Sequence, residues 1–410
     1  MTKIDRRDFI QKAGILPAGA MIAGNISFMA CSLPISPETF DLNKQYDPWI
    51  EISRKNVKWN IDQIRKITDN KPVMAVIKCN AYGHGTVSMG KYLESIGIEG
   101  LAVVKMHEAL DLRKAGVKVP ILNFGPFSDE ESKLVVQNDI MQSVFNNNVV
   151  ALNKVAQSQG KIARVHLKID TGLGRVGIPY YQAYQFIKRV AGLGNIKIVG
   201  IFMTFTEDPE FDKVQLKRFN ELCEKAKQNN IELGYRHAAS SDAVLRLPEA
   251  HLDMVRPGIL IYGHYPNDEE YKLQRIKVKP ALTLKARISQ VKKLRKGDSV
   301  SYHRVYKVDK NCWLATLPIG NYDGLPQLVV NNAQILAHGN RYTFTAGMTA
   351  NHSYLRFNKE DEMVSGDEIV FIGEQGKENI FVEDITKKIG NYSIYTFLMQ
   401  LNPVIPRIYV

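Results

Sequence analysis

The stretch AVIKCNAYGHG (75–85) decides how the rest of this 410-residue chain is read. The run 73–77 is wholly apolar, which suits a strand buried on both faces, as in a parallel sheet. Lys78 follows where that strand leaves the core. Gly83 and Gly85 then allow a tight turn in which backbone can approach a ligand closely. A lone lysine at a strand end is ordinarily a solvated side chain, so the flanking segments carry the decision.

From residue 73 onward, strand-like and helix-like segments alternate. Apolar strand candidates lie at 73–78, 100–104, 120–125, 141–145, 163–170, 197–205, 235–240 and 254–262. Between them, HEALDLRKAG (107–116) and FDKVQLKRFNELCEKAKQNN (211–230) have helical patterns, the second apolar at helical spacing. This predicts an α/β fold with a (β/α)8 TIM-like barrel over 48–280, a doubly wound sheet being the competing arrangement. Barrel chemistry gathers at the C-terminal strand ends, and Lys78 ends the first strand. HLKIDTGLGRVG (166–177) ends the fifth, RHAASSD (236–242) ends the seventh, and VRPG (255–258) lies in the eighth. After about residue 280 come short alternating segments broken by Gly, Asn and Asp, such as SVSYHRVY, CWLATLPIG and DEIVFIG. They predict a mainly β C-terminal domain over 281–410. Taken alone, Tyr302 there is a half-buried strand tyrosine.

Composition is that of an ordinary globular protein, 45% hydrophobic and 23% charged. Cys31, Cys79, Cys223 and Cys312 are scattered without metal-ligand spacing, so neither a zinc site nor a disulfide framework is expected. The net charge is +12, and ten basic residues with no acid fall between positions 272 and 296. No aromatic interleaving accompanies them, so a solvated basic face is expected rather than nucleic-acid binding. In the first 31 residues, DRRDFIQKAG places paired arginines before Phe9 and Ile10, and a weakly hydrophobic stretch too short for a membrane span follows. That pattern resembles a twin-arginine export signal. Ala30 before Cys31 resembles a lipoprotein cleavage site, so an exported protein, periplasmic or lipid-anchored at Cys31, is expected.

Five fragments resemble the alanine racemase family in order and spacing. They are AVIKCNAYGHG, VHLKIDTGLGRVG, HAASSDAVLRLPEAHLDMVRPGILIYG, KPALTLKARISQVKKL and VSYH. The resemblance covers roughly 48–410 and implies a fold-type III enzyme of pyridoxal 5′-phosphate (PLP) with a barrel and a β domain. It implies that Lys78 attaches PLP through its amine and then serves as one base. Tyr302, in the V-x-Y motif, is implied as the second base, acting in a partner subunit's site, and hence a homodimer with shared sites. A free tyrosine titrates near pH ~10, so its surroundings must lower that value. By the same resemblance Arg256 faces the pyridine nitrogen, and Tyr82, Ser241 and the N–H groups of Gly258 and Ile259 hold the phosphate. Arg175 is implied beside the phenolate and the substrate carboxylate, with Met348 at that carboxylate and Lys168 as a carbamylated brace for Arg175.

Departures from the family pattern cluster on the substrate side. Thr204 stands where a histidine is usual, Ser240 where an asparagine, Asn321 where a tyrosine, Thr349 where an aspartate, and His303 where a glycine. Pro403 falls where relatives place a phosphate-binding tyrosine. Three readings result: an L/D-alanine racemase, a racemase of different or broader amino-acid range, and a PLP-binding paralogue with little activity.

Overall fold

The computed structural model describes residues 47–359 and 362–410. The segment 1–31, expected to be an export leader, lies with Cys31 outside the described residues. The first nine strands are β1 (Trp49–Ile52), β2 (Met74–Val76), β3 (Gly100–Val103), β4 (Ile121–Asn123), β5 (Met141–Val144), β6 (Ala163–Asp170), β7 (Ile178–Pro179), β8 (Ile196–Phe202) and β9 (Tyr235–His237). Strands β2-β3-β4-β5-β6-β8-β9 neighbour one another in that order, and every pairing is parallel. The ring closes where Val73 bridges Val255 and where the Met74 and Val76 N–H groups donate to the Val255 and Pro257 carbonyls at 2.9 and 3.0 Å. A sequential closed order has no switch point, which excludes the doubly wound alternative.

The expected eighth strand over 254–262 is reduced to that single bridge. Pro257 has no N–H to extend a ladder, and Ile259–Tyr262 winds into a 3-10 turn instead. VRPG therefore lies in an extended closing segment rather than a strand. The helical patterns become Met106–Lys114 and Pro209–Gln228, packed outside the barrel strands that they connect. β6 departs from a purely apolar run. Its two-residue period puts His166 and Lys168 on one face, and both are buried.

The β domain comprises β10 (Leu282–Arg287), β11 (Gln290–Leu294), β12 (Ser299–Val300), β13 (Tyr306–Lys307), β14 (Cys312–Leu317), β15 (Gln334–Ala337), β16 (Asn340–Met348), β17 (Ser353–Phe357), β18 (Glu368–Gln375), β19 (Glu378–Ile380) and β20 (Arg407–Tyr409). Its main sheet runs β11-β14-β17-β16-β15-β18-β10-β1-β20. β1, placed in the barrel by the sequence boundary at 48, belongs to this sheet. It pairs antiparallel with β10 and parallel with β20, Ile50 opposite Arg407 and Ile52 opposite Tyr409. A four-residue strand carries no local mark of which sheet will take it. The pairing brings the last strand of the chain beside the barrel turn that follows β2. The basic stretch lies partly in this domain, where Lys285 pairs with Glu51 and Glu368.

Candidate active site

The turn after Lys78 is left-handed. Cys79, Asn80, Ala81 and Tyr82 have φ of 56, 55, 50 and 52°, and none is glycine. Each such residue costs about 1–2 kcal/mol, so the turn persists only where its surroundings over-determine it. Its later half is well held. The Gly85 N–H donates to Asn80 O at 2.8 Å, and His84 Nδ1 lies 3.0 Å from both the Ala81 and Tyr82 carbonyls. From β20, the Tyr409 hydroxyl donates to His84 O at 3.0 Å, and Arg407 Nε donates to Gly83 O at 3.1 Å.

The turn opens onto a cavity of about 590 Å³ at the C-terminal ends of the barrel strands. Lys78, Tyr82, Lys168, Arg175, Ser241, Arg256, Gly258 and Ile259 all line it. The barrel residues singled out in the sequence thus converge on one place. An equally large cleft, lined by Glu51, Lys279, Lys285 and Glu383, collects none of them.

One side of the cavity suits an anion. Ser241 Oγ accepts the Gly258 N–H at 2.9 Å, and a Cβ on residue 258 would stand 2.7 Å from Tyr82 Oη, so only glycine lets backbone and phenol meet here. Tyr395, from the β-domain helix Ile394–Met399, lines the same cavity with its ring 6.2 Å from that of Tyr82. Burial pushes both phenols up, so each stays protonated and able to donate. Tyr395 was not among the residues singled out in the sequence. Pro403 is exposed and lies off the cavity. The signal was the SIYTF segment, whose helix is too short to register by period.

Arg256 occupies the buried side. Its Nη2 donates to the Met203 and Ala238 carbonyls at 2.8 and 3.1 Å, and its Nη1 lies 3.0 Å from His237 Nδ1. Burial pulls the guanidinium down to about 9, still charged at neutral pH. Because arginine only donates, His237 Nδ1 must accept, which leaves its Nε2–H to donate to His166 Nδ1 at 2.8 Å. Burial first, and then the charge of Arg256, pushes both imidazoles down, His166 to about 3. A side chain at Gly200 would overlap the His166 ring. Arg256 therefore has its imidazole partner in His237, quoted in HAASS but given no role there.

Lys168 Nζ donates to Thr204 Oγ1 at 2.6 Å and lies 4.7 Å from the centre of the Phe202 ring. Burial, followed by the charges of Arg256 and Arg175, holds its ammonium well below the usual lysine range.

Tyr302 and Met348 sit elsewhere. They line a hollow of about 350 Å³ on the β domain with Asn331 and Gly347. Tyr302 is 76% exposed in the 3-10 turn Tyr302–Arg304, not half-buried in a strand. Positive φ at Ser301, His303 and Arg304 breaks the strand alternation on which that reading rested. A single chain does not bring Tyr302 to Lys78.

These features define a class: a parallel barrel whose first strand presents a lysine beside an anion cradle and a buried guanidinium, joined to a β domain with an exposed tyrosine. Residues 52–266 match the family model for the alanine racemase N-terminal domain, and 281–409 match that for the C-terminal domain. The chain is 35% identical to alanine racemase of Methanococcus maripaludis over 88% of its own length and 98% of that protein's. It is also 35% identical to alanine racemase of Carboxydothermus hydrogenoformans, over 88% and 99%. The solved structure of alanine racemase from Clostridium difficile 630 superposes with a TM-score of 0.84 at 30% identity, covering 89% of this chain and 96% of that one. The one from Bacillus anthracis, with bound L-Ala-P, gives 0.82 at 28% identity, over 89% and 95%. The chain belongs to the alanine racemase family.

Proposed function

We propose that this protein is a PLP-dependent isomerase that interconverts L- and D-alanine by a two-base mechanism. The observation that carries this reading is the convergence of Lys78, the Tyr82–Ser241–Gly258 cradle and Arg256 on one cavity, in a chain matched to the family over both domains. These residues fit PLP in kind. An amine could take its aldehyde, protonated phenols and a hydroxyl suit its phosphate, and a guanidinium is available for its ring nitrogen. When bound, PLP supplies the electron sink for the carbanion left when the α-proton departs.

Lys78 would hold the cofactor through its amine and would exchange a proton on one face of the substrate. Ser241, Tyr82, Tyr395 and the N–H groups of Gly258 and Ile259 hold the phosphate. Arg256, a permanent donor, keeps the pyridine nitrogen unprotonated and so tempers the sink. Arg175 would receive the substrate carboxylate, with Met348 supplied, like Tyr302, by the second copy. As a neutral amine, Lys168 takes up CO2 to form a carbamate, releasing a proton, and the new anion braces Arg175. Tyr302 is the second base. Since it lies outside the cavity of its own chain, the reading requires a homodimer in which each copy lends Tyr302 to the other. The leader directs export, to the periplasm or to a lipid anchor at Cys31.

The test is leaderless protein with PLP, given single enantiomers of alanine in deuterated water. Inversion with α-deuterium uptake supports the reading, and no exchange despite PLP binding would leave a cofactor-binding paralogue. Mixing Lys78→Ala with Tyr302→Ala subunits, each inactive alone, should restore activity if the sites are shared. A second reading, a broader amino-acid range, is favoured by one observation. The Asn321 N–H donates to Thr349 O at 3.0 Å, so two of the altered positions form one patch next to Met348. Inversion of larger amino acids at rates matching alanine would select it.

A further inference from the structure

We infer that Glu108 is a positioning residue for Lys78, holding the reactive end of the left-handed turn in place. The inference rests on the PLP reading only for what Lys78 does. Glu108 lies in the first turn of the helix Met106–Lys114, which follows β3, and is 7% exposed. Its Oε1 accepts the Cys79 N–H at 2.6 Å, and its Oε2 accepts the Val104 and Lys105 N–H groups at 3.2 Å each. One buried carboxylate therefore ties the residue after Lys78 to the loop after the neighbouring strand.

At the start of the turn this contact acts beside one backbone bond, from the Ala81 N–H to Ile77 O at 3.1 Å, and the side-chain braces lie further along. His84, Arg407 and Tyr409 act on residues 81–85, toward the far end of the turn. At its start, Cys79 is exposed. Among the described residues, the Cys79 N–H has Glu108 as its partner. Cys79 is also the first left-handed residue, at φ 56°. Without an acceptor there, it can relax toward ordinary φ, which rotates the peptide plane joining it to Lys78 and swings the lysine side chain away from the anion cradle. A carboxylate suits the task because it offers two oxygens and charge-assisted bonds about twice as strong as neutral ones.

The experiment compares Glu108→Ala and Glu108→Gln with the parent, in the full chain, by two readouts. One is amide exchange in peptides spanning 77–86, with 312–317 as a distant control. The other is PLP affinity of the apo protein, followed by the visible band of lysine-bound cofactor. Glu108→Ala should speed exchange in 77–86 alone and weaken PLP about tenfold or more, as loss of a charge-assisted hydrogen bond implies. Glu108→Gln, keeping one acceptor oxygen, should restore part of both. If Glu108→Ala does not fold, the glutamine variant decides, and it must show the same pair of changes in weaker form. Unchanged exchange in 77–86, or PLP affinity equal to the parent's, overturns the inference. If the parent binds no PLP, the cofactor reading falls, and exchange alone judges the clamp.

Discussion

Lys168 Nζ donates to Thr204 Oγ1 at 2.6 Å, from a side chain that is 4% exposed where it lines the cavity. Burial first, and then the charges of Arg256 and Arg175, lower its proton affinity, and the opposing effect of Asp170 is smaller. An amine so placed gives up its proton readily, and a neutral amine reacts with CO2.

Intact-mass spectrometry in bicarbonate buffer should therefore find a CO2 adduct that disappears on acidification and is absent from Lys168→Ala. A spectrum without the adduct would leave Lys168 as a neutral hydrogen-bond donor to Thr204. Thr204→Val removes that acceptor from a buried donor and should cost about 1–3 kcal/mol in urea unfolding.

Lys78→Ala should abolish the visible band of lysine-bound PLP while leaving the fold intact, because Lys78 is only partly buried and its backbone turn is held by other residues. A surviving band would mean that another amine holds the cofactor.

Tyr302→Phe should change unfolding free energy by less than about 0.5 kcal/mol, since the side chain is 76% exposed. Proton exchange should fall for one enantiomer far more than for the other. Equal losses for both, measured from each single enantiomer in deuterated water, would count against a one-face role.

Acid should destabilise the protein before its carboxylates titrate. Burial holds His84 and His166 at about 3, against an ordinary value of 6.5, and pushes His237 down as well. Between those values the unfolded chain takes up protons that the folded chain refuses. Stability is therefore complete above pH ~6.5 and falls by about 1.4 kcal/mol per pH unit for each such histidine below it. Urea midpoints from pH 7 down to 5 should trace this slope, and His166→Gln should flatten it.

Tyr409→Phe should loosen the cofactor turn from the opposite end. It removes the hydroxyl that donates to His84 O, at a cost of about 1 kcal/mol, and should raise amide exchange around residues 81–86. Protection identical to the parent's would mean that the β20 contact is incidental to the turn.

Much of this was legible in the chain, for identifiable reasons. Buried, largely apolar runs near 73, 100 and 121 predict parallel strands because both faces of such strands avoid water, and each became one. Lys78, Ser241, Arg256 and Gly258 were found because each sits inside a contiguous motif at a strand end. Tyr395 is not legible because its neighbours in the cavity lie more than a hundred residues away in the chain. Glu108 escaped because HEALDLRKAG is an ordinary amphipathic pattern, and nothing in it names Cys79 as a partner.

The sequence by itself determined the alternation of elements, the two-domain order and the chemical types gathered at the strand ends, since each follows from local periodicity and from residues adjacent in the chain. Only the tertiary structure decided that β1 leaves the barrel to pair with β20 and that the eighth strand shrinks to a bridge at Val255. It alone separated Tyr302 from Lys78, and it alone ordered Arg256, His237 and His166 into one directed chain of hydrogen bonds. Those outcomes depend on contacts such as Tyr409 to His84, 325 residues apart. Hydrogen bonding across such a distance is settled by which buried polar groups the folded core brings within reach, and no local pattern records it.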